Sequence, residues 1–143
     1  MSLERWAEMA RDWKDALCAE SPMADFGEVR VIVEVDGGYT VVMAPMDPET
    51  GVGGLRAHLA GVLSRMDRGG HTHRTGRAAV VVDDAEHGVL LTYYADGFGV
   101  SLDRSPYRFE DGGLGWWPSR QVLAPGGEFA DLARFAADPW GAS

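Results

Sequence analysis

Residues 78–102 read AAVVVDDAEHGVLLTYYADGFGVSL, and this stretch decides the fold. Ala78 to Val82 is a continuous apolar run bounded by turn signals, which suits a central strand covered on both faces. Asp83 to Gly88 is the turn that follows. Val89 to Ala95 reads as the next strand and Asp96-Gly97 as a tight turn. Phe98, Val100 and Leu102 then alternate with Gly99, Ser101 and Asp103 along a further strand. Connections this short leave no room for crossover helices, so the strands form an antiparallel meander.

Working outward toward the N-terminus, a polar stretch, His71 to Gly76, leads into the meander. Before it, Leu55, Leu59, Val62, Leu63 and Met66 recur at helical spacing from about Gly54 to Met66. Arg65 and Arg68 sit where the helix dipole favours cations, and Gly69 and Gly70 stop the helix. Further upstream Val29, Val31, Val33 and Val35 share one face of a strand, with Arg30, Ile32 and Glu34 on the other. Asp36, Gly37 and Gly38 suit a two-residue hairpin turn, Tyr39 to Ala44 returns as the partner strand, and Pro45 and Pro48 open a loop. Leu3, Trp6, Ala10, Trp13 and Leu17 mark a first helix over about residues 2–19. Ser2 is its N-cap, its outer face is acidic, and Ser21-Pro22 ends it.

Toward the C-terminus, Tyr107 to Phe109 is expected as a short strand before the glycines at 112, 113 and 115. Gln121 to Leu123 is expected as one more strand at an edge after Pro118. Phe129, Leu132, Ala133 and Ala136 mark a closing helix over about residues 127–137, stopped by Asp138-Pro139. The order α-β-β-α-β-β-β-(β)-α predicts one α+β domain over residues 1–143: a mainly antiparallel sheet of about five to six strands, with helices packed on one face.

The chain has 143 residues, a length suited to a single domain, and its 22 acids against 13 bases give a net charge of −9. That charge disfavours nucleic acid and anionic membrane as partners and favours a basic protein. The positive charge is local: Arg56, Arg65, Arg68, Arg74 and Arg77 against Asp67 between residues 55 and 77. No apolar run is long enough to span a bilayer, and the acidic N-terminal segment lacks the apolar centre of a signal peptide. A single Cys18 forms no internal disulfide, so the expected compartment is a reducing cytoplasm.

Signals for catalysis are sparse. His71 and His73 with Asp83, Asp84, Glu86 and His87 are the one cluster with the ligand types of a metal site, but their spacing matches no metal motif, and Arg74 and Arg77 would oppose a cation. The carboxylates at 83, 84 and 86 read more simply as a solvated turn. Cys18 lies among acids that oppose a thiolate, and no serine has the context of a nucleophile. The glycine runs at 51–54 and 112–115 lack the phosphate-loop lysine and the dinucleotide fingerprint. Neither cofactor nor metal is expected.

A binding surface remains. Tyr93, Tyr94, Phe98, Tyr107, Phe109, Trp116 and Trp117 are dense between positions 93 and 117, interspersed with acids. Aromatics ringed by carboxylates suit a contact with a basic protein. The candidate partner-binding residues are Asp83, Asp84, Glu86, Asp96, Tyr107, Glu110, Asp111, Trp116 and Trp117.

The segment from Ala79 to Trp140 resembles the first of the numbered immunity families that accompany bacterial polymorphic toxins. The resemblance rests on Gly-Val-Leu-Leu-Thr-Tyr-Tyr-Ala-Asp-Gly at 88–97, Gly-Val-Ser-Leu at 99–102, an aromatic stretch reaching Pro118, and a helix with Phe135 followed by Pro139 and Trp140. It implies a small cytoplasmic α+β protein that inhibits a toxin domain without chemistry of its own. Two other readings stand beside it. One is an acidic secretion or assembly chaperone, a stable homodimer through the seam of the first helix and a sheet edge that Trp6→Asp or Trp13→Asp would disrupt, where a monomer would favour the inhibitor; the chain is expected as a monomer or a homodimer. The other is a small metal-dependent enzyme using His71, His73 and His87.

Overall fold

The computed structural model describes residues 2–27, 29–35, 38–44, 51–69, 74–95, 99–111, 113–123 and 130–137. In chain order the elements are α1 (Leu3–Glu20), β1 (Val29–Val35), β2 (Gly38–Ala44), α2 (Gly51–Gly69), β3 (Arg74–Asp84), β4 (Val89–Ala95), β5 (Val100–Glu110), β6 (Gly113–Trp116), β7 (Arg120–Leu123) and α3 (Ala130–Ala137). The α+β class and the antiparallel sheet are as expected from the sequence.

The sheet has seven strands in the order β2-β1-β3-β4-β5-β6, with β7 also on β5. The meander of residues 78–102 supplies its middle: Ala79 stands opposite Tyr94 across β3 and β4, and Tyr93 opposite Leu102 across β4 and β5. β5 runs longer than the alternation predicts, through Asp103, Arg104, Ser105 and Pro106 to Glu110. It does so because it serves two partners: Ser101–Arg104 pair with β7, and Tyr107–Glu110 pair with β6. The short strand expected at 107–109 is therefore the outer half of a long one. At the β3–β4 turn Gly88 adopts φ 63°, and a Cβ there would lie 3.2 Å from the Tyr107 carbonyl oxygen. Gly88 thus permits both the turn and the approach of β5, whose Tyr107 N–H donates to the Gly88 carbonyl at 2.9 Å.

The helices do not share one face, and this corrects the sequence-based expectation. Val29, Val31, Val33, Val80, Leu91, Tyr93 and Leu102 form one core with Leu55 and Leu59 of α2 and Ala133, Phe135 and Ala136 of α3. Ile32, Ala79, Val81, Leu90, Tyr94 and Tyr107, on the opposite side of the pleat, pack with Trp6 and Ala10 of α1. All seven residues of β4 are buried, as a strand covered on both sides requires.

Ser2 caps α1, its Oγ accepting from the Arg5 N–H at 3.4 Å. The buried seam of the helix, however, runs through Trp6, Ala7, Ala10, Lys14 and Cys18. Trp13 and Leu17, expected to continue it, are only half-buried. The seam rotates because an acidic partner inside the protein draws Lys14 inward. Trp6 and Trp13 are thereby committed to their own fold, Trp13 lying 5.1 Å beneath the Arg30 guanidinium. No described helix is long and apolar enough to cross a membrane.

Candidate protein-binding surface

Lys14 is fully buried, and its ammonium donates to Asp83 Oδ2 and to the Ala24 carbonyl, each at 2.6 Å. Asp83 accepts two further bonds, from the Phe26 N–H at 3.1 Å and from the Tyr107 hydroxyl at 2.6 Å. Burying two charges is costly unless each is paired and hydrogen-bonded, and here both conditions hold. Burial, reinforced by the hydrogen bond to Asp83, pushes the Tyr107 phenol far above its ordinary range, so it stays a donor. The Lys14 ammonium also lies 4.8 Å from the centre of the Tyr107 ring and 5.5 Å from that of Phe109.

A second polar cluster sits nearby on the same face of the sheet. The buried Ser105 hydroxyl donates to Asp103 Oδ1 at 2.7 Å, and Arg11 of α1 donates to Ser105 Oγ at 3.0 Å. Further along the helix, the Trp116 indole N–H of β6 donates to Asp15 Oδ1 at 3.0 Å. Arg11, Lys14 and Asp15 therefore fasten α1 to β3, β5 and β6 through directed bonds. Those bonds fix what the outer surface presents.

Two concavities lie between α1 and the strands it covers. One is an open notch of about 280 Å³, lined by Arg11, Asp12 and Asp15 on the helix and by Trp116, Trp117 and Ser119 opposite. Trp117 is 56% exposed, its backbone N–H held on the Pro106 carbonyl at 3.0 Å. The other, of about 200 Å³, lies between the C-terminal end of α1 and the β5–β6 hairpin, with Cys18, Pro22, Met23, Phe109 and Glu110 in its walls. Met23 stands at its rim with φ 65°, a left-handed conformation a side chain rarely adopts, and is 71% exposed. Large apolar side chains beside carboxylates make a surface able to hold cationic and apolar side chains of another protein.

The sequence-derived candidates divide. Trp116 and Trp117 meet in the first notch, Glu110 lines the second, and Asp111 is exposed in the turn between β5 and β6. Asp84, the last residue of β3, and Glu86, in the turn that follows, line neither concavity; the Asp84 carboxylate is 2.8 Å from His87 Nδ1. Asp83 and Tyr107 are corrected. The Asp83 side chain is 1% exposed and Tyr107 is buried, because each is consumed by the Lys14 cluster, so neither belongs to a solvated turn or an outer surface. Asp96, His71 and His73 lie outside the described residues. Among the described residues no three His, Cys, Asp or Glu side chains are grouped to hold a metal. Asp12, Asp15 and Met23 were absent from the sequence-based set; on a helix they read only as outer-face acids or loop, with nothing to mark the strand across from them. No family model, curated protein or solved structure matches the chain.

Proposed function

We propose that this protein is a non-catalytic acidic binding protein, an immunity protein that neutralises a basic bacterial toxin domain in the cytoplasm by covering its active site. One observation carries the reading. Asp12, Asp15, Trp116 and Trp117 converge in a single notch on a chain of net charge −9. An exposed indole with carboxylates around it favours Arg and Lys over acidic or neutral surfaces, and the wider negative field steers a basic partner toward it. Cationic clefts are what an enzyme acting on nucleic acid presents, which accords with the family resemblance of residues 79–140.

The test is growth rescue. Affinity capture from the source cells at low salt should yield a basic domain that arrests growth when expressed alone. Co-expression of this chain should restore growth, and the double variant Asp12→Lys, Trp117→Ala should fail to do so while keeping the wild-type melting temperature. Rescue by that variant at wild-type strength would remove the notch from the interface. Capture of many unrelated clients, none of them toxic, would favour the chaperone reading instead.

A further inference from the structure

We infer that the chain pairs with a second copy of itself through β2, edge to edge and antiparallel, so that two sheets become one. β2 ends the strand order, and no described strand lies beyond it. Alternate residues of an antiparallel strand turn their N–H and C=O groups to opposite neighbours, so half of its peptide groups face away from β1. Protein edges are ordinarily blunted by charges, proline or a covering element. Residues 38–44 read GYTVVMA, with neither a charge nor a proline. The opposite edge differs: it is divided between two four-residue strands, β6 and β7, with Pro118 between them and Arg120 opening β7. Tyr39 and Met43, 45% and 50% exposed, stand on the same side of β2 with Val41 between them.

The register identifies the occupant. On the α1 side, β1 and β2 form the rows Glu34–Tyr39, Ile32–Val41 and Arg30–Met43. A two-fold axis at Val41 gives full overlap of the strand with its copy. It extends the outer rows to Arg30–Met43–Tyr39–Glu34 and the central one to Ile32–Val41–Val41–Ile32. Each outer row then balances one Arg against one Glu and sets a thioether beside an aromatic ring, and the central row is wholly aliphatic. The strand is its own complement, as an isologous contact demands. Elsewhere the net charge of −9 repels a second copy, whereas this edge offers no net charge to oppose it.

An antiparallel edge pairing has its axis perpendicular to the sheet, so both α1 faces lie on one side and both Trp117 notches remain open at the far ends. One strand edge is a small interface against the roughly 1,200–2,000 Å² of stable complexes, so the dimer is expected to exchange, with a micromolar dissociation constant.

The experiment is sedimentation equilibrium of the full chain from micromolar to sub-millimolar concentration, at low and high salt. We expect a monomer–dimer equilibrium that added salt leaves unchanged or strengthens, the reverse of its effect on a basic partner. Among residues 39–43, the alternate amides turned away from β1 should gain exchange protection as concentration rises. Because Tyr39 packs edge-on against Trp6 at 5.2 Å, the variants of choice are Met43→Lys and Met43→Glu. Either should weaken the dimer about ten-fold or more with the melting temperature of the dilute chain unchanged. A single monomer mass throughout overturns the proposal, and so does a dimer that survives both substitutions. Trp117→Ala should not affect the dimer, which separates this test from that of the notch.

Discussion

The two faces of the sheet are held by different physics. Under α2 and α3 the contacts are Val29, Val31, Val33, Leu55, Leu91, Leu102 and Phe135, side chains that need only to be apolar and of the right volume. Under α1 the apolar core continues through Trp6, Ile32, Val81 and Leu90. It is interrupted, though, by Lys14 on Asp83, Arg11 on Ser105 and Asp103, and the Tyr94 hydroxyl on Glu34 at 3.4 Å. Apolar burial is non-directional and tolerates a helix that slides, whereas directed bonds between unlike charges accept one position. The face that needs a fixed helix is the one whose helix forms a wall of the notch.

The largest effects should break this contrast directly. Asp83→Ala leaves the Lys14 ammonium buried without its counter-charge and should cost about 3–5 kcal/mol in urea unfolding. Phe135→Ala, on the other face, should cost a similar amount, about 3–5 kcal/mol, by emptying a packed volume. The two differ in rescue: combining Lys14→Met with Asp83→Leu should recover most of the first loss, whereas a compensating charge change has nothing to act on in the second.

Tyr107→Phe is next in size, about 1–3 kcal/mol, since Asp83 loses a buried donor. Its pH dependence sharpens the comparison. The folded state raises the phenol above its ordinary 10.0, so the contribution is complete below that pH and declines as pH rises beyond it. The stability gap between wild type and Tyr107→Phe should therefore be flat from neutrality to about pH 10 and shrink above it; a gap that widens would remove the phenol as donor. Ser2→Ala should have the smallest effect, about 0.5 kcal/mol in the same unfolding assay, because the cap bond is long.

Much of the apolar face was legible in the sequence. The valines of 29–35 and the continuous run at 78–82 mark strands by periodicity alone, and hairpin turns fix their neighbours. That Ala78 to Val82 needs cover on both sides was also legible, yet it does not say which helix lies where. The α1 face was harder to read. Lys14 reads as an outer-face residue because its partner is far away along the chain, and Asp103 reads as the outward-facing end of a strand that stops before Ser105 because a strand that buries polar side chains lacks the usual alternation. The same blindness placed Asp83 and Tyr107 on the surface. Trp116 and Trp117 were found by aromatic density, but the acids they face come from a helix at the other end of the sequence.

Lys14 is the only lysine in the chain, and it is sealed inside. The native protein therefore offers acylating reagents, lysine-directed crosslinkers and modifying enzymes no side-chain amine to attack. Labelling at this position can proceed only when α1 lifts from the sheet. A slow acylation rate at Lys14, followed by mass spectrometry, would thus read out how often the helix undocks.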